Sequence, residues 1–264
     1  MLVVIKESYQ EVSRTSARIV ANAIKKNPRL SLGLATGSTP LGTYQELIRL
    51  HREEGLNFAR VVTFNLDEYL GLSPDHPQSY HTFMHGHFFD HVNLDPDNVH
   101  IPNGSITKDY EAYCASYEEQ IRRAGGIDLQ VLGIGSNGHI GFNEAGSSLS
   151  SRTRLVALTE QTVEENRRFF PPDEDMPHCA ITMGLGTILD ARKIILLASG
   201  RKKANAVAQA IEGPLTSSIT ASVLQLHADA IVILDRNAAE DLTRTEYYHR
   251  VVSMTARYMP ERLW

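Results

Sequence analysis

Leu30-Ser31-Leu32-Gly33-Leu34-Ala35-Thr36-Gly37-Ser38-Thr39-Pro40 passes from an apolar run through a small polar turn into a helix-period segment that continues to Glu54. A short run of this kind, bounded by turn residues, reads as a strand, and the segment after it as a helix packed back on the sheet. The same alternation recurs along the chain. Further strand candidates are Leu2–Ile5, Val61–Asn65, Leu129–Ile134, Ala180–Met183, Ile194–Ala198 and Ala230–Leu234. Several are apolar on successive residues, as expected of strands covered on both faces. Between them lie helix candidates Tyr9–Lys26, Pro40–Glu54, Ile106–Arg123, Thr162–Phe169 and Lys202–Ile211. In the first of these Val12, Ile19, Val20, Ala23 and Ile24 fall near one helical face. The pattern predicts an α/β fold, a mostly parallel sheet with helices on both faces, in one domain spanning 1–264. In such sheets ligands sit beyond the carboxyl ends of the strands, so the turns there are where chemistry is sought.

The totals bound the function. The chain has 264 residues, 42% hydrophobic and 22% charged, with a formal net charge of -5 and pI ≈ 6.1. A weakly acidic chain lacks the broad positive field of a nucleic-acid binder, so no nucleic-acid partner is expected. Cys114 and Cys179 alone do not make a disulfide framework. The apolar start Met1-Leu2-Val3-Val4-Ile5 is too short for a signal-peptide core or a membrane span. A cytoplasmic protein with no membrane association is expected.

In the first turn, Thr39 is placed to cap the following helix and Pro40 to occupy its first position. Gly37 allows close backbone approach, and the first-turn amides with the Ser38 and Thr39 hydroxyls can cradle an anion. No lysine follows as a nucleotide-binding phosphate loop requires, so a monophosphate fits better than a nucleotide. An ordinary capped turn is the alternative. After Ile194–Ala198 comes Ser199-Gly200-Arg201-Lys202-Lys203. Cations in a first helical turn oppose the helix dipole, which suggests that at least one serves an anionic ligand, the alternative being a solvated charge run. Val61–Asn65 runs into Asp67 and Glu68, adjacent carboxylates where a general base could stand.

Gly133-Ile134-Gly135-Ser136-Asn137-Gly138 looks like the dinucleotide fingerprint, but that motif should open a helix. Here the chain continues through His139-Ile140-Gly141-Phe142-Asn143-Glu144, a polar loop better suited to catalysis. His139 is the sharper candidate, since imidazole gives and takes protons near neutrality.

These loops, together with His76-Pro77-Gln78-Ser79-Tyr80, Ser151-Arg152-Thr153-Arg154, Arg168-Phe169-Phe170 and Leu224-Gln225-Leu226-His227, occur in one order along nearly the whole chain. In this the sequence resembles the glucosamine-6-phosphate deaminases. The resemblance implies a modified doubly wound (Rossmann-like) fold and conversion of glucosamine 6-phosphate to fructose 6-phosphate and ammonia, with neither metal nor organic cofactor. It implies Asp67 as the base acting between C2 and C1, and His139 as the ring-opening group, oriented by Glu144. Gly37, Ser38, Thr39, Arg168 and Lys203 would hold the phosphate, with Arg168 on a mobile lid.

Two departures matter. The well-studied branch has Asp where this chain has Asn137, an amide that orients His139 without adding charge, so an altered pH profile is expected. Ser147 and Arg154 match a site where some members bind N-acetylglucosamine 6-phosphate between subunits, but Val156 replaces its lysine, which puts that regulation in doubt. Oligomeric state is not set by the sequence, and a homo-oligomer is compatible with it.

Three rival readings are distinguishable. A 6-phosphogluconolactonase would share the glycine-rich loop with its His, but Phe142-Asn143-Glu144 and Asn65-Leu66-Asp67-Glu68-Tyr69 favour the deaminase. A sugar-phosphate sensor would carry a basic DNA-binding segment, and none is evident. His81, His85, His87 and His91 crowd one stretch, but aromatic residues interleave them and no zinc-protease motif is present, so packing or surface roles are expected.

Overall fold

The computed structural model describes residues 1–262. The strands in chain order are β1 (Leu2–Lys6), β2 (Ser31–Leu34), β3 (Val62–Asn65), β4 (Asp67–Tyr69), β5 (Val99–His100), β6 (Leu129–Gly133), β7 (Arg154–Ala157), β8 (Cys179–Thr182), β9 (Lys193–Ala198) and β10 (Ala230–Asp235). The helices are α1 (Tyr9–Lys26), α2 (Ser38–Glu54), α3 (Tyr80–His87), α4 (Tyr110–Arg123), α5 (Glu160–Arg167), α6 (Leu185–Leu189), α7 (Ala204–Glu212) and α8 (Thr245–Tyr258).

Seven strands form one parallel sheet in the order β1-β10-β9-β6-β2-β3-β5. The successive apolar residues of its strands divide between two cores. Ile194, Leu196 and Ala198 of β9 face one side with Val232 and Leu234 of β10. Ile195 and Leu197 face the other with Ile231 and Ile233. Alternating side chains thus need cover on both faces, and the helices supply it. On one side α4 brings Tyr117 and Ile121, α6 Leu185 and Ile188, and α7 Ala206 and Val207. On the other, α1 brings Val12, Ile19 and Val20, and α2 Tyr44 and Leu47. A buried bond of 2.6 Å between the Ser16 and Thr43 hydroxyls ties α1 to α2. The doubly wound, mostly parallel architecture expected from the sequence is present.

The strand expected at Ala180–Met183 forms as β8, but it does not join the parallel sheet. It is the centre of a small antiparallel sheet, β4-β8-β7, in which Asp67 and Arg154 both lie opposite Thr182. The chain leaves β3 at Asn65 and, after Leu66 alone, enters β4. The two sheets therefore meet at the carboxyl edge of the large one, and that junction places the residues considered next.

Gly33 in β2 has no room for a side chain: a Cβ there would lie 2.0 Å from Gln130 Oε1. Both residues belong to the centre of the sheet, where they pair across β2 and β6. Gly33→Ala is expected to cost about 1–3 kcal/mol through overpacking. Denaturant unfolding of Gly33→Ala, Gln130→Ala and the double variant checks this. The double variant should lose less than the sum of the single losses, and simple additivity would contradict the contact.

Candidate active site

At the centre of the large sheet β2 and β6 are neighbours, and succession runs outward from them in opposite directions. Chain connections diverge at such a point and open a crevice beyond the strand ends. A cavity of about 200 Å³ lies there, walled by the turns after β2, β3, β6 and β9 and by the end of α5. Gly37, Ser38, Thr39, Asp67, His139, Arg168 and Lys203 all line it.

The β2–α2 turn differs from expectation in detail. Thr39 does not cap α2, and Pro40 is not its first residue. The helix begins at Ser38, after Gly37 at φ 97°, with no side-chain cap bond. Glycine enters this positive φ without a Cβ clash, so the chain turns into the helix earlier than a Thr cap would allow. Pro40 is still within the first turn, where its missing N–H loses no intrahelical bond. Because no side chain caps them, the first-turn amides are free for an anion.

The second cationic turn is clamped from β10. Asp235 accepts from the Ser199 hydroxyl at 2.5 Å, from the Gly200 amide at 3.1 Å and from the Ala238 amide at 2.8 Å. Arg201 is spent on Glu240 at 2.6 Å and Asp241 at 3.0 Å, whereas Lys203 lines the cavity. Burial pushes the Lys203 ammonium below its ordinary range, with Arg168 adding repulsion and Glu165 opposing both. The Arg168 guanidinium lies 4.7 Å from the Phe169 ring centre, at the outer wall.

The paired carboxylates separate as strand alternation requires. Glu68 turns to the start of α3, accepting from the amides of Tyr69 at 2.8 Å, Tyr80 at 2.9 Å and His81 at 2.9 Å. Asp67 faces the cavity, yet it is only 5% exposed. Leu66, Tyr80 and Phe142 supply apolar wall around it. Burial, reinforced by the charge of Glu68, pushes the Asp67 carboxyl up to about 8, against the partial offset of the Phe142 amide and the Thr182 hydroxyl.

The glycine-rich loop opens no helix, in keeping with the rejection of a dinucleotide fingerprint. It folds back on itself, the Gly135 amide donating to the His139 carbonyl at 2.8 Å. The imidazole lies over Gly135, where a Cβ would come within 2.5 Å of its ring. Gly141, at φ 55°, lets the backbone pass close to Asp67 Oδ2, 3.3 Å from where a Cβ would stand. Behind the imidazole, His139 Nδ1 stands 3.4 Å from Glu144 Oε2, a close contact without hydrogen-bond geometry. Asn137 acts on that carboxylate: its Nδ2 donates to Glu144 Oε2 at 3.1 Å, and its Oδ1 accepts from the His139 backbone amide at 3.2 Å. Its influence on the ring therefore runs through Glu144.

Two hydroxyls at the start of α5 complete the set. Thr159 donates to Glu144 Oε1 at 3.1 Å, and Thr162 donates to the same oxygen. Burial alone would raise the Glu144 carboxyl, but His139, Thr162 and Asn137 outweigh it and hold it at about 2.

Ser147 and Arg154 meet each other but not the cavity. Arg154 donates to Ser147 Oγ at 3.0 Å and to Asn143 Oδ1 at 2.8 Å. In the histidine stretch the His81 and His85 rings lie 4.5 Å apart, and His85 Nδ1 is 2.8 Å from Asp90. Among the described residues no group of three or more His, Cys, Asp or Glu is placed to hold a metal ion. Sequence reasoning missed Thr159, Thr162, Glu165 and Asp235; only the Thr-x-x-Thr step at the start of α5, a capping pattern, carried a signal.

Residues 5–233 match the model of a family described as glucosamine-6-phosphate isomerases/6-phosphogluconolactonase. The chain belongs to that family. It is 54% identical over 251 residues to a glucosamine-6-phosphate deaminase of Thermoanaerobacter pseudethanolicus, covering 93% of this chain and 99% of that one. It is 52% identical over 257 residues to one of Hahella chejuensis, covering 97% and 98%. Among solved structures, a monomeric glucosamine-6-phosphate deaminase is similar at 49% identity and TM-score 0.89, covering 91% of this chain and all of that one. The 6-phosphogluconolactonase of Trypanosoma brucei, at 21% identity and TM-score 0.71 over 92% of this chain and 98% of that one, shares the fold.

In this member of the family the Asp67 carboxyl sets a stability test of definite sign. It titrates at about 8 when folded and near 4 when unfolded. Between those values the native state holds the extra proton, so stability falls as pH rises through the window. Asp67→Asn should therefore melt higher than wild type at pH 8, by roughly 2–4 °C for each kcal/mol relieved, with the difference vanishing toward pH 4. Calorimetry across this range checks it; a variant less stable at every pH would contradict it.

Proposed function

We propose that the chain converts glucosamine 6-phosphate and water to fructose 6-phosphate and ammonia. The observation that carries this reading is one cavity bearing an anion cradle, a buried aspartate and a carboxylate-backed imidazole together. Deaminases identical at about half of all positions over nearly the whole chain support it.

The C2 hydrogen of the sugar is acidic only when C1 is a carbonyl, so the ring must open first. In our reading His139 moves the proton from the C1 hydroxyl to the ring oxygen, with anionic Glu144 stabilising the charged imidazole. Ionised Asp67 then takes the C2 proton, the electron pair forms the C1–C2 double bond, and the carbonyl π pair moves to O1, which takes a proton from the C2 ammonium to give an enolamine. Return of that proton to C1 leaves an imine at C2. Water adds there, the C–N bond breaks, and ammonia departs. Only proton transfers and water addition are involved, so no step calls for a redox cofactor. Gly37, Ser38, Thr39, Arg168 and Lys203 would hold the phosphate, whose remote binding positions C2 against Asp67. The α5–Arg168 segment would act as the lid, and its Thr159 and Thr162 would reach Glu144 when it lies closed.

We further read residues 1–264 as one domain, since β1 at one end pairs with β10 near the other. A cytoplasmic enzyme with a small amino-sugar phosphate ligand, and no nucleic acid, fits the acidic balance. Among the described residues no helix is long and apolar enough to cross a membrane. Ser147 and Arg154 would form an effector site only in a homo-oligomer, and Val156 in place of lysine weakens the case for one.

Ammonia release from glucosamine 6-phosphate by the purified protein tests the proposal. Wild type should turn over, and Asp67→Asn should fall by at least about two orders of magnitude, as removal of a general base does. No ammonia from wild type, or an unimpaired variant, would reject it.

A further inference from the structure

Besides Asp67, one other acid lines the cavity among the described residues: Glu165, on the second turn of α5. Its presence is at odds with a site otherwise built for an anion. A glutamate on an exposed helix face ordinarily needs no account, but this exposed one also lines the cavity, its carboxylate held there by two partners. Its Oε1 accepts from the Ser136 hydroxyl at 2.5 Å and from Gln161 Nε2 at 3.1 Å. Neither partner is a cation, so the charge is not cancelled on the spot. Its field reaches Lys203 and His139, and Lys203 lies between this attraction and the repulsion of Arg168. Burial favours the neutral carboxyl, but the bonds from Ser136 and Gln161, with Lys203 and His139 nearby, outweigh it and hold Glu165 below the ordinary carboxylate range. The cradle thus combines two cations with one fixed negative charge.

Such a carboxylate repels every phosphate ester, which carries about −1.5 to −2 charge at pH 7. A ligand that also bears an ammonium group is penalised less, because its own positive charge answers Glu165. We propose that Glu165 is a specificity-determining residue that biases the cavity toward amino-sugar phosphates and against sugar phosphates lacking the amine. The proposal rests on the deaminase reading and deepens it. Deamination removes the positive charge, so the product meets a repulsion that the substrate's ammonium partly offsets, and its release is favoured.

Glu165→Gln removes the charge while keeping an oxygen for the Ser136 hydroxyl. The variant is compared with wild type for the KM of glucosamine 6-phosphate, the competitive Ki of fructose 6-phosphate, and the Kd of inorganic phosphate by calorimetry. Fructose 6-phosphate and phosphate should each bind about three- to tenfold tighter, while the KM for the amino sugar changes by less than about twofold. Glu165→Asp, which keeps the charge, should hold all three ratios near wild type. Equal tightening of the three ligands, or none, would overturn the proposal. If wild type releases no ammonia, the deaminase reading fails separately, and an unchanged phosphate Kd in the Gln variant would still overturn this inference.

Discussion

Taking a carboxylate out of water at the edge of a parallel sheet is costly, and the arrangement around Asp67 exists within that constraint. The chain steps from β3 into the small antiparallel sheet within a single residue, so Asp67 is buried between two sheets rather than left on a solvated turn. The apolar wall that excludes water also raises the affinity of the carboxyl for a proton, which is what a base for a weakly acidic carbon requires. Glu68 next to it could have added a second unpaired buried charge. Instead the Tyr69 amide and two amides at the start of α3 receive it, partly offsetting the burial that pushes its carboxyl up to about 7, and the latter two bonds anchor the helix.

The rest of the site is held from a distance. Asp235, at the end of β10, fixes the turn that brings Lys203 to the cavity, while neighbouring Arg201 is diverted to surface carboxylates. Glu144 gathers Asn137, Thr159 and Thr162 around a carboxylate that faces His139. Two of these partners belong to the first turn of α5 and its cap, so the position of α5 and the carboxylate behind the imidazole are mechanically joined. Arg167, from the same helix, donates to the carbonyls of Pro172 and Glu174, and Glu174 in turn meets His76 at 2.8 Å, tying α5 to the loop before α3.

What could be read from sequence followed from periodicity and from strand ends. Strands such as Ile194–Ala198 announce themselves because both faces must be apolar, and the residues just beyond them converge because the sheet has one switch point. β4, β5 and β7 escaped because two to four residues with polar members carry no period. The role of β8 was misjudged because apolar composition does not distinguish parallel from antiparallel partners. Thr39 looked like a cap because propensity favours threonine there, whereas the backbone freedom of Gly37 decided otherwise. At Asp67 and Glu68 the sequence marked a pair, but only strand alternation tells which one faces the cavity. Glu165 had the appearance of any acid on a helix surface, and Asp235 that of a strand-end residue; each acts through partners some thirty residues away.

The central claim is that Asp67, held protonated by burial to an unusually high pH, must ionise before it can act. The pH dependence of kcat/KM for glucosamine 6-phosphate reports the free enzyme and tests this most directly. Once the titration of the phosphate ester near 6 is allowed for, the profile should climb through an apparent pKa of about 8. A plateau already reached by pH 6, with no further rise, would contradict it.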